Sequence, residues 1–185
     1  MTQPTDIRRD GERPLLLDLF SCASGAAMGY ARAGFTVHGC DIASRPNYPF
    51  PYHRGDALAY LAHLITTGEI RRYTFAHASP PCQHGCALTV GTNASQGWGH
   101  SHVDLVAPTR DLLEQTGLPY VIEQPNGRAE IRKDLTGKPT VPELQAAMGI
   151  TWTDVREELT EAIPPAYTEH IGRAFLAQVA LEVAA

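Results

Sequence analysis

Short apolar runs alternate with helical stretches from Leu15 to Glu123, and this alternation restricts the chain to a sheet of mainly parallel strands with helices packed across it. Leu15-Leu16-Leu17-Asp18-Leu19-Phe20 reads as the first strand, Ser21-Cys22-Ala23-Ser24-Gly25 as a small-residue turn, and Ala26 to Ala33 as a helix closed by Gly34. Phe35 to Cys40 forms a second strand with Asp41 at its carboxyl end, and Gly55-Asp56 leads into a helix from Ala57 to Thr66. Tyr73 to Ala78 is a third core strand. A polar loop from Gly85 to His102, a helix from Leu105 to Gln115 and a strand from Leu118 to Glu123 complete the pattern. The expected fold class is α/β, a doubly wound, mainly parallel sheet. The sequence contains no internal repeat or low-complexity segment.

The strand ends carry the chemistry. In Ala78-Ser79-Pro80-Pro81-Cys82-Gln83, two prolines fix the backbone just beyond a strand, so the thiol of Cys82 is held in a defined direction at the carboxyl edge of the sheet. Open α/β sheets bind their ligands at that edge. At the first strand end, small residues from Ser21 to Ala27 let a nucleotide-like group approach the backbone and the free N–H groups of a helix start. Asp41 is placed to bind ribose hydroxyls, and Asp56 to accept from an adenine amino group. Acidic residues at such positions also cap helices, which is the competing reading of both.

Composition narrows the classes. With 185 residues and 43% hydrophobic content, the chain suits one compact domain, and residues 1–13 read as a flexible amino-terminal arm. No apolar run approaches the roughly 18 to 20 residues of a membrane span, and the polar start lacks the apolar centre of a secretory signal, so a soluble, cytoplasmic protein is expected. Cys22, Cys40, Cys82 and Cys86 are too few and too scattered for a disulfide scaffold and are expected to be thiols. A formal charge of -5 with only 15 Lys and Arg argues against a large nucleic-acid footprint. Local basic patches remain at Arg8, Arg9 and Arg13, at Arg71 and Arg72, and at Arg128, Arg132 and Lys133, each of which also reads as solvated surface charge. Cys82, His84, Cys86, His100 and His102 are zinc-ligand types, but their spacing is not that of a finger, and no metal is expected. Trp98 and Tyr120 could stack on a base, with packing as the plainer role.

Taken in order, Asp18-Leu19-Phe20-Ser21 with its turn, Ala33-Gly34-Phe35, Cys40-Asp41-Ile42, Gly55-Asp56, Ser79-Pro80-Pro81-Cys82-Gln83, Val121-Ile122-Glu123 and Ala162-Ile163-Pro164-Pro165-Ala166-Tyr167 resemble the motifs of DNA cytosine-5 methyltransferases, particularly compact phage-type members. The resemblance covers Leu15 to about Pro125 and resumes from about Pro139 to Gly172. It implies a Rossmann-like, S-adenosylmethionine-dependent methyltransferase fold, truncated at the sheet edge after the strand ending at Glu123. Cys82 matches the nucleophile that adds to carbon 6 of cytosine, and Glu123 the carboxyl group at ring nitrogen 3. By the same correspondence Phe20, Ser21 and Gly25 line the methionine side of S-adenosylmethionine, Asp41 holds its ribose, Ile42 packs on adenine and Asp56 accepts from the adenine amino group. Pro81 shapes the cofactor and base pockets, while Ser79, Gln83 and Arg128 fall on the substrate side. S-adenosylhomocysteine would be the product, and the helix bearing Pro164-Pro165 would fold back beside the first loop.

The chain departs from the family in three places. Cys22-Ala23-Ser24-Gly25 replaces the usual Gly-x-Gly-Gly, so two positions that tolerate positive φ carry side chains, and Glu123-Gln124-Pro125 replaces Glu-Asn-Val. Only the short stretch from Arg128 to Pro139 stands where the family carries later strands, a base-contacting arginine motif and a target-recognition region. The strand ending at Glu123 is then an open edge, to be covered by a second copy, a partner chain or the tail. DNA is the expected partner, bound weakly or without sequence preference, since few groups remain to read the major groove. Two alternatives stay open: a non-catalytic remnant or interaction subunit needing a partner chain, and methylation of a single-stranded or small pyrimidine substrate.

Overall fold

The computed structural model describes residues 13–82, 103–124 and 139–184. Five strands, β1 (Leu15–Leu19), β2 (Thr36–Asp41), β3 (Tyr52–Arg54), β4 (Phe75–Ala78) and β5 (Tyr120–Ile122), form one sheet in the order β3-β2-β1-β4-β5. Every pairing is parallel, with Leu16 opposite Val37 and Phe75, and Ala78 opposite Ile122. This is an α/β fold of Rossmann-like strand order, with the switch point between β1 and β4. Among the described residues, β3 and β5 are the edges.

Side-chain alternation along the strands separates two cores. Leu17 and Leu19 on β1 and Ala76 and Ala78 on β4 face α2 (Ala57–Thr67) and α3 (Val106–Thr116), where Leu61, Leu64 and Leu113 are buried with them. Leu16 and Phe75 point to the other side, against Ala27 and Tyr30 of α1 (Gly25–Ala33) and Phe175 and Leu176 of the terminal helix. Strands covered on both faces explain the near-continuous apolar run at residues 15–20. Tyr120, weighed above as a base-stacking residue, packs against the α2/α3 core instead.

Helix bounds differ from the sequence expectation by a residue or so. The larger difference lies beyond residue 139, where α4 (Val141–Met148), α5 (Arg156–Glu161) and α6 (Pro165–Ala184) follow one another. The α4 start is fixed by a capping box, in which Thr140 Oγ1 accepts from the Glu143 N–H and the Glu143 carboxylate accepts from the Thr140 N–H. The α6 helix lies against α1 at glycine distance: a Cβ at Gly29 would sit 2.0 Å from Thr168 Oγ1, and one at Gly172 would sit 2.8 Å from the Ala33 Cβ. The expected return of this segment to the first loop is therefore observed. Thr168 Oγ1 donates to the Ala26 carbonyl at 2.8 Å, and the Trp152 indole N–H donates to the Ala23 carbonyl at 2.8 Å. Among the described residues no helix is long and apolar enough to cross a membrane.

Candidate functional site

A cavity of about 690 Å³ opens at the carboxyl edge of the sheet, over the switch point. That volume lies inside the about 300–1,000 Å³ range of small-molecule sites. Its wall is built from the ends of β1, β2, β4 and β5 and from residues 160–164 ahead of α6. Phe20, Ser21, Gly25, Asp41, Ile42, Asp56, Ser79, Pro81, Cys82 and Glu123, dispersed over a hundred residues of sequence, all line it. Gln83, Arg128, the zinc-type residues His84 to His102 and the amino-terminal arm up to residue 12 lie outside the described residues.

The first loop reaches the cavity through a left-handed turn. Phe20, Cys22 and Ser24 have φ of 60°, 43° and 67°, so the turn adopts a glycine-type backbone without glycine at these positions. Ser21 ties the turn to β2: its N–H donates to the Cys40 carbonyl at 3.0 Å, and its hydroxyl accepts from the Cys40 N–H at 2.7 Å. Gly25 has a role beyond lining. A Cβ there would lie 2.0 Å from the Ile163 carbonyl oxygen, so the missing side chain admits the tail segment that forms the far wall.

Asp41 is more engaged than the sequence suggested. Its Oδ2 accepts from the Cys22 N–H at 2.8 Å and its Oδ1 from the Ala43 N–H at 2.8 Å, while Arg45 lies against it at 3.3 Å and reaches Glu158 at 4.0 Å. Arg45, four residues beyond Asp41, was missed by the sequence reading, because outside a helix that spacing does not by itself bring two side chains together. Asp56 realises the capping alternative with one oxygen, Oδ1, which accepts from the Ala59 N–H at 2.8 Å. Ile42, 72% exposed, is a large apolar side chain left uncovered on the cavity wall.

On the other side, adjacent parallel strands bring Cys82 and Glu123 to one cavity. The Glu123 N–H donates to the Ala78 carbonyl at 2.9 Å, and the Gln124 side-chain amide donates to the Pro80 carbonyl, so Gln124 ties the end of β5 to the Pro-Pro-Cys segment. Burial raises the Glu123 carboxyl above the usual carboxylate range, favouring its protonated form. Two other thiols are set apart by their surroundings. Burial pushes Cys22, on the same cavity, up to about 11, and Cys40 up to about 12, so neither supplies thiolate at neutral pH.

At the cavity floor lies a polar layer that the sequence reading did not resolve. Asp18 is buried, its Oδ2 accepts from the Tyr48 hydroxyl at 3.3 Å, and burial lifts its carboxyl to about 7. Gly39 makes room for this contact, since a Cβ there would meet the Tyr48 hydroxyl at 2.3 Å. No family model and no curated protein matches the chain significantly.

Proposed function

We propose that this protein is an S-adenosylmethionine-dependent methyltransferase that modifies carbon 5 of cytosine in DNA through a covalent cysteine adduct. The observation that carries the reading is the convergence of Cys82 and Glu123, from the ends of paired strands, on the cavity that the first loop also lines. The residues suit the cofactor: uncovered Ile42 offers an apolar face to adenine, Asp56 keeps Oδ2 for the adenine amino group, and Phe20, Ser21 and Gly25 stand by the methionine side. Ribose hydroxyls would reach Asp41 as Arg45 yields, because the Arg45 contacts at 3.3 and 3.4 Å are longer than the backbone N–H bonds at 2.8 Å. When bound, S-adenosylmethionine supplies an electrophilic methyl group.

The protein's own share of the chemistry follows from the site. The Cys82 thiolate adds to carbon 6, which turns carbon 5 from a poor nucleophile into an enamine carbon. Glu123, held toward its protonated form, neutralises the charge that develops at ring nitrogen 3. Once carbon 5 carries the methyl group, loss of its proton to a water-borne base, expulsion of Cys82 as the thiolate and return of the ring-nitrogen proton to Glu123 restore the aromatic ring.

The test is transfer of labelled methyl to duplex DNA, single-stranded DNA, RNA and free cytidine nucleotides, with Cys82→Ala beside the wild type. Transfer to DNA cytosine that falls to background in the variant is expected. Transfer only to RNA or free nucleotides would move the substrate class, and no transfer to any acceptor would favour the non-catalytic reading.

A further inference from the structure

A chain of three side chains runs from the α1/α6 core to the cavity. The Tyr30 hydroxyl lies 3.1 Å from His77 Nδ1, and His77 Nε2 lies 2.9 Å from Ser79 Oγ. Tyr30 and His77 are 0% and 1% exposed, while Ser79 lines the cavity immediately before the Pro-Pro-Cys turn. Nothing in the proposed chemistry uses the two buried groups.

We infer that Tyr30 and His77 are positioning residues that fix Ser79 as a hydrogen-bond donor into the cavity, so that a ligand must present an acceptor oxygen or unprotonated ring nitrogen at this point. The argument is one of proton accounting. Burial drives His77 down to about 4, so at neutral pH the ring is neutral and carries a single N–H. The neighbouring Asp18, opposite His77 in the β1/β4 register, is engaged by Tyr48. Among the described residues the Tyr30 hydroxyl has no acceptor except His77 Nδ1. If Tyr30 donates there, the ring proton sits on Nε2 and donates to Ser79 Oγ, which leaves the Ser79 hydrogen for the cavity. The other tautomer would bury the Tyr30 hydrogen without an acceptor.

Under the proposed function, which this inference deepens, the acceptor belongs to the pyrimidine held above the Pro-Pro-Cys turn. A cytosine offers a carbonyl oxygen and an unprotonated ring nitrogen, so it satisfies the donor. A group that presents only N–H there leaves two donors facing each other.

Nitrogen-15 NMR of the histidine-labelled protein, with His77 assigned by loss of its signals in His77→Gln, reads the tautomer whether or not the protein is active. A neutral ring protonated at Nε2 between about pH 6 and 8, shifting toward a tautomer mixture in Tyr30→Phe, is expected from the shifted equilibrium. A ring protonated at Nδ1, or charged, overturns the inference. In the methyl-transfer assay on cytosine DNA, Tyr30→Phe and Ser79→Ala should each lower kcat/KM about tenfold, the double variant no further, and Ser79→Thr should retain activity. Additive losses would overturn the relay. If no acceptor is methylated, the proposed function has failed, and the NMR result alone decides the inference.

Discussion

Phe20, Cys22 and Ser24 hold the strand-to-helix turn in a left-handed backbone without glycine, a conformation that costs an L-residue about 1–2 kcal/mol each. Hydrogen bonds from Trp152 and Thr168 to the carbonyls of Ala23 and Ala26 brace it from the tail side. The non-glycine residues of this turn were legible in the sequence; the bracing groups, more than a hundred residues away, were not. Asp18 illustrates the same limit. It reads as one polar residue in an apolar strand, yet burial lifts its carboxyl to about 7 from 3.8. The folded state therefore binds a proton that the unfolded state has released, and this group's contribution to stability is present below about pH 4 and lost as pH rises toward about 7. His77 acts in the opposite sense: lowered to about 4 from 6.5, it adds stability as pH rises across that interval. In Asp18→Asn the His77 contribution is shared with the wild type and cancels in the comparison. The stability of the variant minus that of the wild type, from urea unfolding, should climb by about 1.4 kcal/mol per pH unit between about pH 4 and 7. Parallel stability curves for the two proteins would show that Asp18 ionises normally in the fold.

At the scale of elements, the contact of α1 with α6 attaches the tail to the sheet, and its closeness depends on glycine. A methyl group at Gly29 would lie 2.0 Å from Thr168 Oγ1 and 2.1 Å from the Pro165 carbonyl, and the carbonyl is backbone that moves only with the helix. Gly29→Ala should destabilise the protein by about 2 kcal/mol in chemical denaturation, since overpacking outweighs the roughly 1 kcal/mol that alanine gains in helix propensity. A neutral or stabilising result would mean that α6 does not sit this close. The core strands and the helices between them were readable because apolar runs of strand length alternate with helical segments. Strand β3 was not: Tyr52-His53-Arg54 is short, polar and at an edge, and nothing in its pattern separates it from a loop. The α4 start carries a readable Thr-x-x-Glu signal at Thr140 and Glu143.

On the scale of the whole molecule, parallel topology performs the assembly that local sequence cannot. Each strand delivers its terminal residue to the same edge, so residues from Phe20 to Glu123 meet at one cavity, and the returning tail closes its far wall. The strand-end positions were legible for that reason. Tyr48 against Asp18 and the Tyr30–His77–Ser79 chain were not, because each joins elements whose relative placement only packing decides. A net charge of -5 argues against a broad basic face for nucleic acid. The most direct test of the central claim is intact-protein mass spectrometry after incubation with 5-fluorocytosine DNA and S-adenosylmethionine, because fluorine at carbon 5 prevents release of the enzyme. The account predicts a covalent protein–DNA adduct mapped to Cys82 and absent in Cys82→Ala. An adduct at another cysteine, or none while the wild type methylates cytosine, would contradict it.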